Sequence, residues 1–230
     1  MKKTKLNNDQ IPINFSFITN KHFYNYISGN NKSIIDALSS FSSSNKTNII
    51  FLRGNKSSGK SHLCQAIINT SKKKILYLAS DDIKTVNVFE YDLLIIDGID
   101  KLLSNYPCEE KIFSIINDFI LEKKNILVTS TTKLNQIDFR IPDLASRLTW
   151  DLIFDIRELN DKDKIKVLKK YAKERGLSLS SSVCDYIMTH YKRDLYFLCN
   201  SIKFLDEKSL SLKRNITIPF IKNIIKLKNF

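Results

Sequence analysis

Gly54 is followed after four residues by Gly59-Lys60-Ser61, inside the run IIFLRGNKSSGKSHL that spans residues 49–63. Glycines at that spacing let the backbone wrap an anion, so that its N–H groups and the first turn of a following helix point at phosphate oxygens. In such a loop Lys60 neutralises the β and γ phosphates, Ser61 supplies its hydroxyl to Mg2+, and Ser58 and His62 complete the candidate set. Asp97 ends a second apolar run, DLLIID, where an acid organises the Mg2+ shell. Thr131 follows a third run, NILVTS, whose polar end is placed to sense a γ-phosphate. The residue after Asp97 is Gly98, whereas phosphate-loop ATPases that turn over their own nucleotide commonly carry a second acid there to orient water. The next acid, Asp100, lies three positions beyond Asp97 and is expected to leave the strand end. Binding of ADP or ATP with Mg2+ is therefore expected, with poor hydrolysis by this chain alone.

The elements that must hold these residues are legible from periodicity. Residues 49–53 read as a buried strand, and Leu63, Ala66 and Ile67 mark the helix after the loop. Residues 74–80, 92–97, 125–130 and 152–156 read as further strands. The near-continuous apolar runs among them suit a parallel sheet covered by helices. An amphipathic helix is expected over residues 109–124, with Ile112, Ile115, Ile116, Phe119 and Ile120 on one face. Pro142 opens a short helix that carries Arg147. Phe23 or Tyr24, ahead of the loop, either stacks on a nucleotide base or packs in the core. From residue 160 the pattern is helical only: Asn160 or Asp161 caps a helix ended by Gly176, Ser180 to Ser182 cap a second, a third spans residues 193–205, and Pro219 opens a last short one. The resulting division is a tail over 1–16, a nucleotide-binding α/β domain over 17–158 and a helical lid domain over 159–230.

Composition narrows the class. With 230 residues, 43% hydrophobic, only five glycines and four prolines, the chain is expected to be globular. No apolar run is long enough to cross a membrane, and polar residues follow the basic start, so no signal peptide and a cytoplasmic location are expected. Cys64, Cys108, Cys184 and Cys199 are widely spaced and read as reduced, packed thiols, with no zinc site. The net charge of +13 has two readings, contact with DNA or solvated lysines. Near the start, QIPINF places Gln10, Ile13 and Phe15 in an extended segment, either an anchor for a partner's pocket or a strand on its own domain.

The order of phosphate loop, LLIID, polar strand end, IPDLASRL and helical lid resembles the AAA+ family. GKSHL, LLIID, IPDLASRLTW and the closing TIPFIKNIIKL look like its DnaA branch, and within it the short Hda family that switches DnaA off. The similarity runs over residues 10–227. The resemblance implies an AAA+ parallel sheet with a C-terminal helical lid, and an ADP-bound adaptor at the nucleoid. It implies that Gln10, Ile13 and Phe15 bind the DNA polymerase III sliding clamp (beta subunit), with DNA reached through the clamp. It implies that Arg147 is an arginine finger for ATP held by DnaA, and it leaves a homo-oligomer possible. The chain is expected to end where the origin-reading domain of DnaA begins. Tyr196 stands where the family's lid has a sensor arginine; either Arg193, one turn earlier, replaces it, or the sensor is lost. Thr131 stands where the DnaA branch tends to have an acid. A rival reading is a self-sufficient ATPase such as a DnaC-type helicase loader.

Overall fold

The computed structural model describes residues 21–43, 48–79, 87–103 and 106–226. Five parallel strands, β1 (Ile49–Arg53), β2 (Ile75–Leu78), β3 (Leu93–Asp97), β4 (Asn125–Ser130) and β5 (Leu152–Asp155), form one sheet in the order β2-β3-β4-β1-β5. Successive side chains on a strand face opposite sides, so each central strand feeds two cores. Phe51, Leu94, Ile96, Ile126 and Val128 pack on one side. Their partners come from α3 (Ile99–Leu102), α4 (Tyr106–Leu121) and α5 (Pro142–Leu148). Ile50, Leu52, Leu93, Ile95 and Leu127 pack on the other side, against α1 (Lys32–Ser43) and α2 (Lys60–Thr70). This two-sided burial is why the runs read as continuously apolar.

The register sets the site. Leu52 pairs with Thr129, and Thr129 with Asp97, so β1, β4 and β3 end side by side. Gly54, Thr131 and Gly98 therefore leave the sheet at one rim, where ligands of open parallel sheets bind.

Beyond β5 come α6 (Asp161–Glu174), α7 (Ser181–His190), α8 (Leu195–Leu212) and α9 (Ile218–Lys226). They enclose a third core, built around Leu168, Ala172, Val183, Ile187, Leu198, Ile202, Leu205 and Ile221, with no member from the sheet. Asn160 caps α6 by accepting from the Asp163 N–H at 2.9 Å, and Gly176 follows that helix at φ 76°. Ser180 caps α7. The expected class, a parallel α/β sheet with a C-terminal helical lid, is what forms.

Several boundaries differ, and the third lid helix runs on to Leu212, beyond the expected residue 205. The second strand is shorter than 74–80, and the amphipathic helix begins at Tyr106, before the expected Glu109. The third lid helix starts at Leu195, because Asp194 caps it by accepting from the Phe197 N–H at 2.9 Å. Arg193 thus lies before that helix. The expected tail residues Gln10, Ile13 and Phe15 lie outside the described residues.

Candidate functional site

A cavity of about 680 Å³ opens at the rim of the sheet, between the phosphate loop, the segment before α1 and the lid. Ser58, Gly59, Lys60, Ser61, His62, Asp97 and Thr131 all line it. The loop needs its glycines for different reasons. Gly59 sits at φ 93°, and a Cβ there would lie 2.5 Å from the Tyr26 ring; at Gly54 it would lie 2.4 Å from Ser58 Oγ. Gly54 shapes the loop without lining the cavity.

Lys60 is buried, and its ammonium donates to the Gly54 carbonyl at 2.7 Å and the Asn55 carbonyl at 3.1 Å. Burial lowers its pKa, against the opposing pull of Asp100 and Asp97. Ser58 Oγ is buried with no hydrogen-bond partner among the described groups. Lys21, Lys56, Lys60, Lys101 and Lys170 line the cavity against two acids, Asp97 and Glu174. A narrow loop backbone, an orphaned hydroxyl and an excess of ammonium groups fit a polyphosphate, with Ser61 and Asp97 the residues that could hold its Mg2+.

Asp97 is fixed from two sides. Thr129 Oγ1 donates to Oδ1 at 2.8 Å, and the Tyr77 hydroxyl donates to Oδ2 at 2.9 Å. Thr129 Oγ1 also accepts from the Gly98 N–H at 3.0 Å. Asp100 is tied to the end of β4, accepting from the Thr131 N–H at 3.1 Å and from the Thr131 hydroxyl. Burial pushes its carboxyl up, but the Thr131 hydrogen bonds outweigh that and hold it below the usual carboxylate range. It thereby fixes the Thr131 position. Asp100 is not among the residues lining the cavity, although its charge reaches Lys60.

Several contributors carry no motif. The Tyr26 hydroxyl donates to the Ser58 carbonyl at 2.8 Å, holding the loop from below, and burial pushes that phenol up to about 12. His62 Nε2 lies 3.0 Å from the His22 carbonyl, which can only accept, so this nitrogen carries the proton. Lys170 of α6 donates to the Asn25 carbonyl, joining lid to body. Neither Phe23 nor Tyr24 lines the cavity; Phe23 packs beside the α1–α2 core and Tyr24 is 81% exposed.

The structure does not bring Arg193 to this site. Its guanidinium donates to Asp161 Oδ2 at 2.7 Å and to the Met188 carbonyl at 3.1 Å, because it precedes α8 and turns to the start of α6. Tyr196 does face the cavity, with Lys56 Nζ 5.5 Å above its ring.

Arg147 is on α5 and is not among the lining residues. It donates through Nε and Nη2 to Asp143 Oδ2 at 3.0 and 2.9 Å, and it lies over the Phe113 and Trp150 rings at 5.3 and 5.7 Å. Its side chain remains 22% exposed.

Residues 161–225 match the family model for the Hda lid domain. An uncharacterized protein of Haemophilus influenzae is 32% identical over 230 residues, with 96% of this chain and 100% of that protein covered. Among solved structures, AMPPCP-bound DnaA from Aquifex aeolicus superposes with a TM-score of 0.67 at 26% identity, over 82% of this chain and 65% of that one. Domain III of Thermotoga maritima DnaA gives a TM-score of 0.75 at 19% identity, over 90% and 96%. A lid of this type, carried on a sheet folded like that of DnaA, shows that the chain belongs to the Hda-like family of DnaA-related AAA+ proteins.

Proposed function

We propose that this chain is a nucleotide-bound adaptor that stimulates hydrolysis of ATP held by DnaA, with Arg147 as the group supplied in trans. The observation that carries the reading is the place of Arg147: outside its own cavity, partly exposed, and set in position by Asp143, Phe113 and Trp150. An arginine so placed cannot serve the nucleotide of its own chain. Gly98 supports the same division of labour, since the position directly after Asp97 carries no acid to orient an attacking water.

In this reading the loop N–H groups and Lys60 hold the phosphates of ADP or ATP, with Lys60 exchanging its Gly54 and Asn55 carbonyls for phosphate oxygens. Ser61 and Asp97 hold Mg2+, and Thr131 stands at the γ-phosphate end. The bound nucleotide supplies no chemistry here; it ties lid to body. On the partner, Arg147 leaves Asp143 and donates to the charge that develops on the transferred phosphoryl group. Gln10, Ile13 and Phe15 tether the chain to the sliding clamp, which brings it to DNA.

The test is hydrolysis of ATP pre-bound to DnaA, with clamp loaded on DNA, with and without this protein carrying ADP. Acceleration that needs both protein and clamp supports the reading. Arg147→Ala is expected to remove the acceleration, worth ~10³ or more in rate, while leaving nucleotide affinity of the chain unchanged. Rapid ATP turnover by this protein alone, with no effect on DnaA, would instead fit a self-sufficient ATPase such as a DnaC-type helicase loader.

A further inference from the structure

Charge is unevenly divided along the chain. Residues 159–230 carry sixteen Lys and Arg against seven Asp and Glu, a net +9, while the preceding 158 residues carry twenty-one against seventeen, a net +4. Helix α6 shows where part of that excess goes. One face packs into the lid core through Ile165, Leu168 and Ala172, and a second lines the nucleotide cavity through Val167, Lys170, Tyr171 and Glu174. The third face is Lys162, Lys166, Lys169 and Lys173, all exposed. Their spacing of four, three and four residues keeps them in one row along roughly 16 Å of helix.

Of the nearby acids, Asp163 pairs with the row, through Lys166, and the others turn to cations outside it. Asp161 is engaged by Arg193 at 2.7 Å, and Glu174 turns to Lys170 at 3.6 Å on the cavity side. Asp163 takes Lys166 at 2.8 Å, with its own side chain only 13% exposed. Lys169 Nζ donates to the Ser181 hydroxyl at 2.9 Å, a neutral partner that leaves its charge in place.

We propose that this lysine row on α6 is a binding surface for the phosphate backbone of duplex DNA. A straight row of cations complements a straight polyanion with one negative charge per ~1.7 Å of axis. The aromatic residue of α6, Tyr171, faces the cavity, so the row has no platform for stacking single-stranded bases. It carries no apolar side chain to enter a lipid surface either. Contact is therefore independent of sequence and dominated by counterion release. The surface is separate from Arg147 and does not depend on the adaptor reading.

The test uses the full-length protein and a short random-sequence duplex, without clamp or DnaA, so that failure here leaves the adaptor reading untouched. Affinity is measured over a salt series for the native chain, for K162Q/K166Q/K169Q/K173Q, and for a control that removes the same charge from the sheet domain, K72Q/K111Q/K123Q/K133Q. Each lysine that neutralises a phosphate contributes about 0.9 to the slope of log K against log salt, so the row variant is expected to be shallower by ~3 to 4 and to bind at least about tenfold more weakly at low salt. The control is expected to change little, and replacement of the row by four arginines to keep the slope. Equal losses in row variant and control would overturn the proposal, and so would polyglutamate binding the row as tightly as duplex, which would indicate an acidic protein. A measurement without variants is protection of lysines from acetylation: the four α6 lysines should be shielded by duplex ahead of Lys72 and Lys133, and uniform labelling would overturn the assignment.

Discussion

At the scale of single residues, Gly59 and Gly54 show how one amino-acid type meets two demands. Gly59 is held at φ 93°, a conformation that costs an L-residue about 1–2 kcal/mol, and its missing Cβ is the space occupied by the Tyr26 ring. Gly59→Ala is therefore expected to fold with a lowered melting temperature and to bind nucleotide at least about tenfold more weakly, as read by fluorescent-nucleotide titration. Gly54→Ala meets mainly the movable Ser58 hydroxymethyl group and is expected to be milder. His62 gives a pH dependence. Burial lowers its pKa, only partly offset by the hydrogen bond to the His22 carbonyl. A histidine depressed in the folded state binds more protons when unfolded, so its contribution is complete above the ordinary value of about 6.5 and is lost as pH falls below it. Urea unfolding between neutral and mildly acidic pH is expected to show stability falling with pH, and His62→Gln to flatten that fall.

At the scale of elements, the runs of β1, β3 and β4 were legible because both faces of each strand are buried, and the phosphate loop because its glycines answer to backbone geometry. The Tyr77 hydroxyl on Asp97 and the Tyr26 hydroxyl under the loop were not legible, since they join residues 20 and 32 positions apart that only the assembled fold brings together. Arg193 was misplaced for a local reason: Asp194 is a helix cap, and a cap ahead of the apolar run LYFLC was the signal that puts Arg193 outside α8. A similar long-range support sets α5. Glu109 of α4 is 1% exposed and accepts from the Ile141 N–H, at the start of α5, at 2.9 Å. One turn further along α4, Phe113 lies beneath Arg147. Glu109→Ala is expected to cost about 1.5–3 kcal/mol in stability. It should also weaken stimulation of DnaA-bound ATP hydrolysis more than Glu109→Gln, which keeps an acceptor. Nucleotide affinity of the chain itself should hold in both variants, because α5 does not line the cavity.

At the scale of the whole molecule, the lid and the sheet domain are joined mainly through the space they enclose. The lid core is complete without the sheet, and the two sheet cores are complete without the lid. Between them, among the described residues, Lys170 reaches the Asn25 carbonyl and Lys56 lies over Tyr196 at the cavity walls. A domain with its own core folds alone, whereas a cavity walled by two domains needs both. Residues 159–230 expressed alone are therefore expected to be helical by circular dichroism and to unfold cooperatively. Residues 1–158 alone are expected to fold but to bind nucleotide at least about tenfold more weakly, since Tyr171, Tyr196 and Asn200 are removed from the walls. Adding the separate lid in excess should recover little affinity, because partly exposed polar contacts such as these, of about 1 kcal/mol or less each, do not offset the entropy of association. Unchanged affinity in residues 1–158 would place the nucleotide wholly on the sheet domain, and would leave the lid to the partner-facing and DNA-facing surfaces alone.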